Sequence, residues 1–405
     1  MKSAMLQPHV TLSGDMSMQS CDWTVSIRAL EDRAALEAEW RALEQRAHAS
    51  FFLSWDWIGT LLDSVERLDA PQVLRIAAGH ELKGLALLWS GRQRRHGFVR
   101  TRSLHLNETG RPEFDRITIE HNGILAVAGE EVAVLGAALS HLSGSSDWDE
   151  CLLSGLDEAT AQRADALAPL QGLWHHRRWV KRYHYVDLDI VRSSGGDYLE
   201  SLSNNSRYQA RRAIKGYAGR GALECRRAAS APEALAWFED LMRLHQAHWN
   251  ARGEPGAFSS SFTRRFHTAL VTQGWTRGTV SILRVTAGNE LVGYVYNFEH
   301  QGIASNYQSG HVAAESNKLK PGLVVHCLAV QEALARGLKT YDLLMGGDHF
   351  KPSLCNAYGE MSWSVLQQPR LSLRMERLLR ETRDRWRSRK APSETSTAGQ
   401  DENQT

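Results

Sequence analysis

Three side chains that could act on protons or charge follow a short apolar stretch near the end of the chain. The sequence YDLLMGGDHFK, residues 341–351, reads as a buried strand that leads into two glycines and then Asp348, His349 and Lys351. Glycines at such a place let a ligand or a neighbouring backbone come close. The carboxylate could orient an acceptor amine, the imidazole accept its proton and the ammonium stabilise an oxyanion. The alternative is an ordinary β-turn with Lys351 facing water.

An adjacent segment could bind phosphate at the start of a helix. Pro321 suits the first position of a helix that is predicted to run to Arg336, with Gly337 as its C-terminal stop. The first backbone N–H groups of such a helix, together with Gly322, Lys318 and Lys320, would attract an anion. The alternative is that proline and glycine only mark the helix start and that both lysines are solvated.

Two further segments offer candidate substrate-binding residues. Arg207, Arg211 and Lys215 are four residues apart and share a helix face, which could bind an anionic acceptor, a nucleotide sugar or tRNA. A solvated helix face is the alternative. Trp249, in HWNARGEPGAF, could line an acceptor pocket, or it could simply stand at a helix end closed by Gly253.

The chain contains an internal repeat. Residues 73–89 and 282–298 align without a gap, and seven of seventeen positions are identical. Both segments read as strand, tight turn and strand, and DWDECLLSG (147–155) resembles KTYDLLMGG (339–347) in the same way. The sequence therefore predicts two copies of one α/β unit.

Each copy shows helices, antiparallel strands, one helix and one more strand. This order predicts an α/β (α+β) fold of tandem domains, each with a mixed, mostly antiparallel sheet flanked by helices. We expect an N-terminal domain over residues 21–190, including a strand across 116–127, and a C-terminal domain over 191–388. Residues 1–20 and 389–405 have little to pack and are expected to be disordered.

The composition excludes several classes of protein. A formal net charge of +2 gives no overall signature of nucleic-acid binding. The five cysteines lack the spacing of a disulfide framework or a zinc site, so no metal is expected. No stretch approaches the roughly 18 apolar residues of a membrane span. We therefore expect a cytoplasmic protein without stable membrane insertion.

The order of motifs in the second half resembles the GNAT acyltransferase fold. More specifically, it looks like the acetyltransferase-type domain of CelD-like cellulose and exopolysaccharide biosynthesis proteins, which is similar to the Fem peptidyltransferases. Fem-type proteins carry two tandem GNAT-like units, in agreement with the repeat. The matching motifs span about residues 197–365 and are YLESLSNNSRYQARRAIKGY, HQAHWNARGEPGAF, the Pro321-Gly322 helix start and YDLLMGGDHFK.

This resemblance implies transfer of an acyl group from acetyl-CoA or another acyl-CoA to an amine or hydroxyl. The acyl chain would lie between the strands ASNYQSGHV, which carries Ser309, and YDLLMGG. Phe350-Lys351 matches the Phe-Lys motif of Fem proteins, in which the lysine contacts the donor. Tyr307 could protonate the leaving thiolate, although a hydrogen-bonded core tyrosine is the alternative. NKLKPG replaces the usual Arg/Gln-x-x-Gly-x-Gly/Ala loop of GNAT enzymes, so coenzyme A use is implied by family alone.

The first copy lacks an aromatic-lysine pair after its last strand. We expect it to be a degenerate partner that completes the cleft. The predicted activity is acyl transfer to a small-molecule or glycan-linked acceptor in exopolysaccharide or cell-envelope synthesis. The alternatives are a Fem-type peptidyltransferase that uses aminoacyl-tRNA, the one case that involves nucleic acid, and a non-catalytic glycan-assembly subunit.

Overall fold

The computed structural model of the protein describes residues 22–65, 68–95, 99–314, 316, 318–347 and 350–379. The termini predicted to be disordered, residues 1–20 and 389–405, lie outside the described residues. Two of the candidate catalytic residues, Asp348 and His349, also lie outside them.

The first repeat extends from strand β1 to strand β7, and it includes helices α1 to α4. Its elements are β1 (Trp23–Ala29), α1 (Arg33–Glu44), α2 (Trp55–Ser64), β2 (Gln72–Ala78), β3 (Glu81–Arg95), β4 (Val99–Leu106), β5 (Leu125–Ala126), α3 (Glu131–Gly144), β6 (Glu150–Asp157), α4 (Glu158–Leu167) and β7 (Trp174–Asp187).

The second repeat follows the same plan and adds a helix before its hairpin. Its elements are α5 (Leu188–Ser193), α6 (Asn204–Ala218), β8 (Leu223–Arg227), α7 (Ala231–Asn250), α8 (Ser261–Arg277), β9 (Val280–Ala287), β10 (Glu290–His300), β11 (Ile303–His311), α9 (Pro321–Ala335), β12 (Thr340–Met345) and β13 (Ala357–Gln367).

The repeated sequence motif forms the same hairpin twice. Strands β2 and β3 pair antiparallel, as do β9 and β10. Gly79 and Gly288, which are equivalent in the two copies, both turn with φ of 59°, a conformation that glycine adopts without a steric penalty. The α/β fold with two similar units and a mostly antiparallel sheet is therefore confirmed.

The two repeats form one continuous sheet because they exchange their last strands. The strand order is β1-β2-β3-β4-β6-β13-β7-β12-β11-β10-β9-β8. Strand β13 of the second repeat pairs with β6 of the first, and β7 of the first repeat pairs with β12 of the second. The expected boundary near residue 190 thus follows a strand that is built into the other repeat.

The prediction of a strand across residues 116–127 is wrong. The segment instead contains a 3-10 turn at Asp115–Ile117 and only the two-residue strand β5. Thr118 and His121 have φ of 46° and 48°, which is incompatible with a regular strand. The apolar alternation was misleading because its polar residues form contacts across the molecule.

Helices cover both faces of the sheet in the second repeat. Helices α7 and α8 pack with Tyr296 and Phe298 of β10 on one face, while α6 and α9 pack with Val295 and Ala304 on the other. Strands β11 and β12 are therefore covered on both sides, so a ligand between them would be shielded from water.

The basic segment after β13 is helical over residues 371–379. Leu373 and Glu376 are buried, whereas Leu371 and Met375 are exposed. Glu376 accepts a hydrogen bond from Arg95 of β3 at 2.7 Å, which attaches this helix to the first repeat rather than to the second. Within the described part of the chain, no helix has the length and apolar character needed to cross a membrane.

Candidate active site at the junction of the repeats

The parallel strands β11 and β12 separate after three paired residues. Their register joins Ile303 to Thr340, Ala304 to Tyr341 and Ser305 to Asp342. Beyond Ser305, β11 stays paired with β10 as far as His311, while β12 continues to Met345. The backbone edges that face each other across this gap are not joined by a ladder, and they can therefore hydrogen-bond a ligand.

Strand β12 is distorted where it leaves β11. Leu344 has φ of 58°, and the register with β7 shifts between Asp342 and Met345. Asp342 holds the kink, because its Oδ1 accepts the backbone N–H of Leu344 at 2.7 Å. A leucine in the left-handed region is strained, and such strain is concentrated at functional sites.

Lys351 is turned back onto the end of this strand. Its ammonium donates hydrogen bonds to the carbonyl oxygens of Leu343 and Met345, and to that of Leu344 at 3.2 Å. The side chain is partly buried. The alternative in which Lys351 points into water is therefore wrong, and a positive charge stands beside the gap.

Asp342 also binds a histidine from the first repeat. His121 Nε2 lies 2.9 Å from Asp342 Oδ2, and the edge of its ring meets Tyr183 with 4.7 Å between ring centroids. The His121 side chain keeps 18% of its surface exposed, whereas Asp342 keeps 6%. A carboxylate that fixes one imidazole nitrogen leaves the other, Nδ1, available to a substrate.

Glu120 lies directly behind this pair. Its Oε2 accepts the backbone N–H of Met345 at 2.9 Å, so it contacts the same distorted end of β12. Burial raises the pKa of Glu120 to about 7, although the Met345 N–H and the charge of His121 oppose this. Burial lowers the pKa of His121, but the hydrogen bond and charge of Asp342 outweigh burial and the net shift is upward. Interacting groups of this kind titrate as a unit.

A cavity of about 650 Å³ lies at the junction of the repeats. Ser305 and Asp342, the last paired residues before β11 and β12 separate, are part of its wall. The cavity therefore ends where the gap begins. Other lining residues come from both repeats and include His48, Ser50, His121, Asp157, Tyr183, Tyr185, His300 and Gln301.

Tyr307 is packed into the aromatic core beside the gap. Its hydroxyl donates to the carbonyl of Ile117 at 2.7 Å, and its ring lies 4.5 Å from that of His267 and 5.1 Å from that of Phe298. Burial raises its pKa. To protonate a leaving thiolate, Tyr307 would have to give up the bond to Ile117, so the geometry matches the core alternative.

The residues predicted to bind phosphate lie beside the basic helix. Lys320 donates from Nζ to Gln209 of α6, so the start of α9 and the α6 surface are adjacent. A side chain at Gly322 would meet the His311 ring at 3.0 Å, so glycine lets that ring lie against the helix start. Lys318 is exposed. Arg207 and Arg211 both pair with Glu200 and line a shallow groove together with Arg212.

The remaining predicted residues are Ser309 and Phe350, which contact His326, and Trp249. Ser309 of β11 places its Oγ 3.4 Å from His326 Nε2, and Phe350 lies 5.6 Å from the same ring, between centroids. Trp249 is half-buried at the end of α7 and is not part of the cavity wall. The structure thus brings Ser309 and Phe350 together at the His326 ring, with Lys351 next to Phe350, and none of these residues nor Trp249 lines the cavity.

The sequence did not identify Glu120, His121 or Tyr183 as site residues. The signal for the first two is the polar triplet Glu-His-Asn inside an apolar run, a pattern that also fits a strand. Tyr183 belongs to an aromatic and basic segment, residues 174–187, for which no strand was predicted.

Replacing Glu120 by glutamine should stabilise the protein at pH 8 by on the order of 3 kcal/mol and much less at pH 5. The folded-state pKa of about 7 exceeds the ordinary 4.5, so folding must keep a proton that the unfolded chain releases between those values. The stability cost therefore grows as pH rises from 4.5 to 7. Glutamine carries no charge and can still accept the Met345 N–H. Urea unfolding at both pH values tests this.

The exposed Glu224, replaced by glutamine, is the matched control and should change stability equally at the two pH values. An equal effect of Glu120→Gln on stability at pH 5 and pH 8 would contradict the raised pKa of the buried Glu120 carboxyl group.

Comparisons with known proteins agree with this geometry. Residues 204–352 match the family model of an acetyltransferase (GNAT) domain. The crystal structure of FemX superposes with a TM-score of 0.52 at 12% identity, covering 80% of this chain and 95% of that chain. L-PGS from Bacillus licheniformis superposes with a TM-score of 0.50 at 12% identity, covering 88% and 98%. No curated protein sequence matches the chain.

The resemblance to the GNAT superfamily and to Fem-like proteins is therefore confirmed. Residues 204–352 of the second repeat match the GNAT domain model, and most of the chain has a fold similar to those of FemX and L-PGS. At these identities the two solved structures establish the fold alone.

Proposed function

We propose that the protein is an acyltransferase that moves an acyl group from a coenzyme A thioester to an amine or hydroxyl in the junction cavity. One observation carries the proposal: β11 and β12 separate at Ser305 and Asp342, and these two residues are part of the wall of the cavity that His121 also lines. A donor lying in the gap would present its acyl group to an acceptor beside that histidine.

The residues around the gap fit a coenzyme A thioester. At the start of α9, Pro321 has no N–H and Lys320 provides no side-chain cap, so the N–H groups that follow remain available for phosphate. Lys320 and Arg212 add positive charge along a second shallow groove, of about 500 Å³, which lies between α6 and the start of α9. The covered gap would hold the uncharged arm and the thioester. The donor is a co-substrate, and no metal is part of the proposal.

The chemistry requires no nucleophile from the protein. His121, oriented by Asp342, takes a proton from the acceptor as its nitrogen or oxygen attacks the thioester carbonyl. The Lys351 ammonium stays bonded to the carbonyls of residues 343–345, and its positive charge stabilises from nearby the charge that develops on the thioester carbonyl oxygen. The C–S bond then breaks, and the proton held by His121 passes to the departing thiolate. Burial raises the pKa of Cys151 and of Cys327 to about 12, which makes both unsuitable as nucleophiles.

The resemblance to CelD-like proteins supports a proposal for the cellular role. We propose a glycan-linked or small-molecule acceptor from exopolysaccharide or cell-envelope synthesis, modified in the cytoplasm. The charged groups gathered around a strained leucine favour an enzyme over a non-catalytic assembly subunit, because an inactive protein gains nothing from that strain.

Aminoacyl-tRNA is the second candidate donor. It is favoured by the fold shared with FemX and by the α6 groove, where Arg207, Arg211, Arg212 and Lys215 present positive charge to any polyanion. Both donors carry an activated carbonyl and phosphates, so the same site could hold either.

A thermal-shift titration distinguishes the two donors. Acetyl-CoA, longer acyl-CoAs, free coenzyme A and aminoacyl-tRNA are each added to the full chain at 150 mM salt. A ligand at a hundredfold excess over its Kd should stabilise the protein by about 2.7 kcal/mol. Stabilisation by acyl-CoA supports the proposal, and stabilisation by aminoacyl-tRNA alone supports the alternative. The absence of any shift would overturn both.

A further inference from the structure

One nitrogen of a buried histidine beside β11 has no hydrogen-bond partner among the described residues. His326, on α9, is 6% exposed, and its Nδ1 bonds to no atom of the described residues. Its Nε2 lies 3.4 Å from Ser309 Oγ on β11. A buried polar atom that is left unpaired costs stability, so its persistence requires a reason.

The surroundings of His326 place this nitrogen beside the proposed donor path. The ring lies between Ser309 of β11 and Phe350, which follows β12, with 5.6 Å between its centroid and that of Phe350. Burial lowers the pKa of His326 to about 3, and the charges of His311 and Lys351 act in the same direction. The ring is therefore neutral near pH 7, with one N–H and one lone pair.

Another buried histidine of the same region shows what a satisfied side chain looks like. His245, on α7, places Nδ1 3.1 Å from the carbonyl of Ser309, and its Nε2 accepts the backbone N–H of Ala257 at 3.2 Å. Both of its nitrogens are used by the fold. His326 differs because only one nitrogen has a partner, and that contact is long.

We propose that His326 donates a hydrogen bond from Nδ1 to the carbonyl oxygen of the bound thioester. The inference rests on the proposed function and adds a specific binding group to it. If the Ser309 hydroxyl donates to Nε2, the ring hydrogen stands on Nδ1, where the bond is missing. As the acceptor attacks, the carbonyl π electrons move onto the oxygen and strengthen this N–H···O bond. They return to carbon when the C–S bond breaks.

The test compares two ligands that differ at the carbonyl group. Acetyl-CoA has the thioester oxygen, whereas the thioether S-ethyl-CoA lacks it. The wild-type protein should bind acetyl-CoA about tenfold more tightly, and His326→Leu should abolish this preference. His326→Leu should also lower kcat by about 10²-fold while resisting urea as well as or better than the wild type, because the unpaired nitrogen is gone.

Two variants serve as comparisons. His326→Asn can place an amide donor near the position of Nδ1 and should keep part of the preference for acetyl-CoA. Cys327→Ala changes the neighbouring buried residue of α9 and should keep all of it. A purely structural histidine would not alter the ratio of the two affinities.

The outcomes separate this inference from the proposed function. If the wild type binds neither coenzyme A ligand, the proposed function fails. If the wild type prefers acetyl-CoA and His326→Leu retains both that preference and kcat, the role of His326 is overturned. Should His326→Leu not fold, ¹⁵N NMR of labelled histidine decides. The His326 Nδ1 signal must shift with acetyl-CoA and not with S-ethyl-CoA, and an unchanged signal overturns the inference.

Discussion

Replacing His121 by glutamine is expected to lower kcat/KM for acyl transfer by about 10²- to 10⁴-fold, the usual contribution of a general base. The reason is the arrangement at the cavity wall, where Asp342 fixes Nε2 at 2.9 Å and leaves Nδ1 for the acceptor. Glutamine can keep a hydrogen bond to Asp342 but cannot take up a proton near pH 7. Steady-state kinetics with a saturating thioester donor measure the effect.

The pair His175 and Asp165 provides a matched control. These side chains lie 2.6 Å apart and are also buried in part, but neither lines the cavity. His175→Gln should therefore leave kcat/KM within about twofold of wild type, in line with variants remote from the chemistry. Equal losses in the two variants would mean that His121 acts on the fold and not on the reaction.

The pH profile gives an independent check on His121. Burial lowers the pKa of His121, whereas the hydrogen bond and charge of Asp342 raise it. The raising effects are the larger, so the pKa lies above the ordinary 6.5. Only the neutral ring can accept a proton. The rate should therefore rise with pH through an apparent pKa above 6.5, and Asp342→Asn should move this midpoint to lower pH. A midpoint that Asp342→Asn leaves unchanged would contradict the assignment.

Replacing Lys351 by methionine is expected to lower kcat by about 10²- to 10³-fold, as the loss of an oxyanion-stabilising group does in other enzymes. Methionine retains the length and packing of the stem and removes the charge. The three carbonyl groups of residues 343–345 would also lose their donor, so the variant should unfold at lower urea concentration. Single-turnover kinetics and urea titration separate the two effects.

Two other lysine variants show whether the charge or the stem matters. Lys351→Arg keeps a cation and should recover part of kcat. Lys339→Met removes a lysine that immediately precedes β12, away from the gap, and should leave kcat unchanged. If Lys351→Met loses stability but keeps kcat at saturating donor, the lysine only supports the strand end.

Local signals in the sequence were sufficient to predict the two repeated hairpins and helix α9. The hairpins around Gly79 and Gly288 combine alternating apolar residues with a turn that requires glycine, and both were predicted. Helix α9 carries its own start and stop residues and was predicted within about one residue. The separation of β11 and β12 followed from the family resemblance.

The exchange of terminal strands could not be predicted from the sequence. Strand β7 pairs with β12, more than 150 residues later, and nothing within residues 174–187 specifies that partner. The same exchange of strands explains why Glu120 and His121 were not predicted as site residues. Glu120 and His121 lie on an irregular segment of the first repeat, and they reach Met345 and Asp342 only because the two repeats share one sheet.

This arrangement explains why the repeats remain joined. The sequence predicts that the first repeat completes the cleft as a degenerate partner, and in the structure this repeat supplies the histidine and the buried glutamate of the candidate site. The second repeat supplies the carboxylate, the gap and the lysine. Within the described residues, neither repeat contains the full set of groups, so the candidate site needs both repeats.

The most direct test of the central claim is a crystal structure of the protein with a bound acyl-CoA thioether, which resists transfer. We expect the thioether to lie between residues 307–309 of β11 and 343–345 of β12. Its phosphates should lie at the start of α9 and its acyl end should face His121. A coenzyme bound elsewhere, with the gap between the two strands empty, would contradict the account.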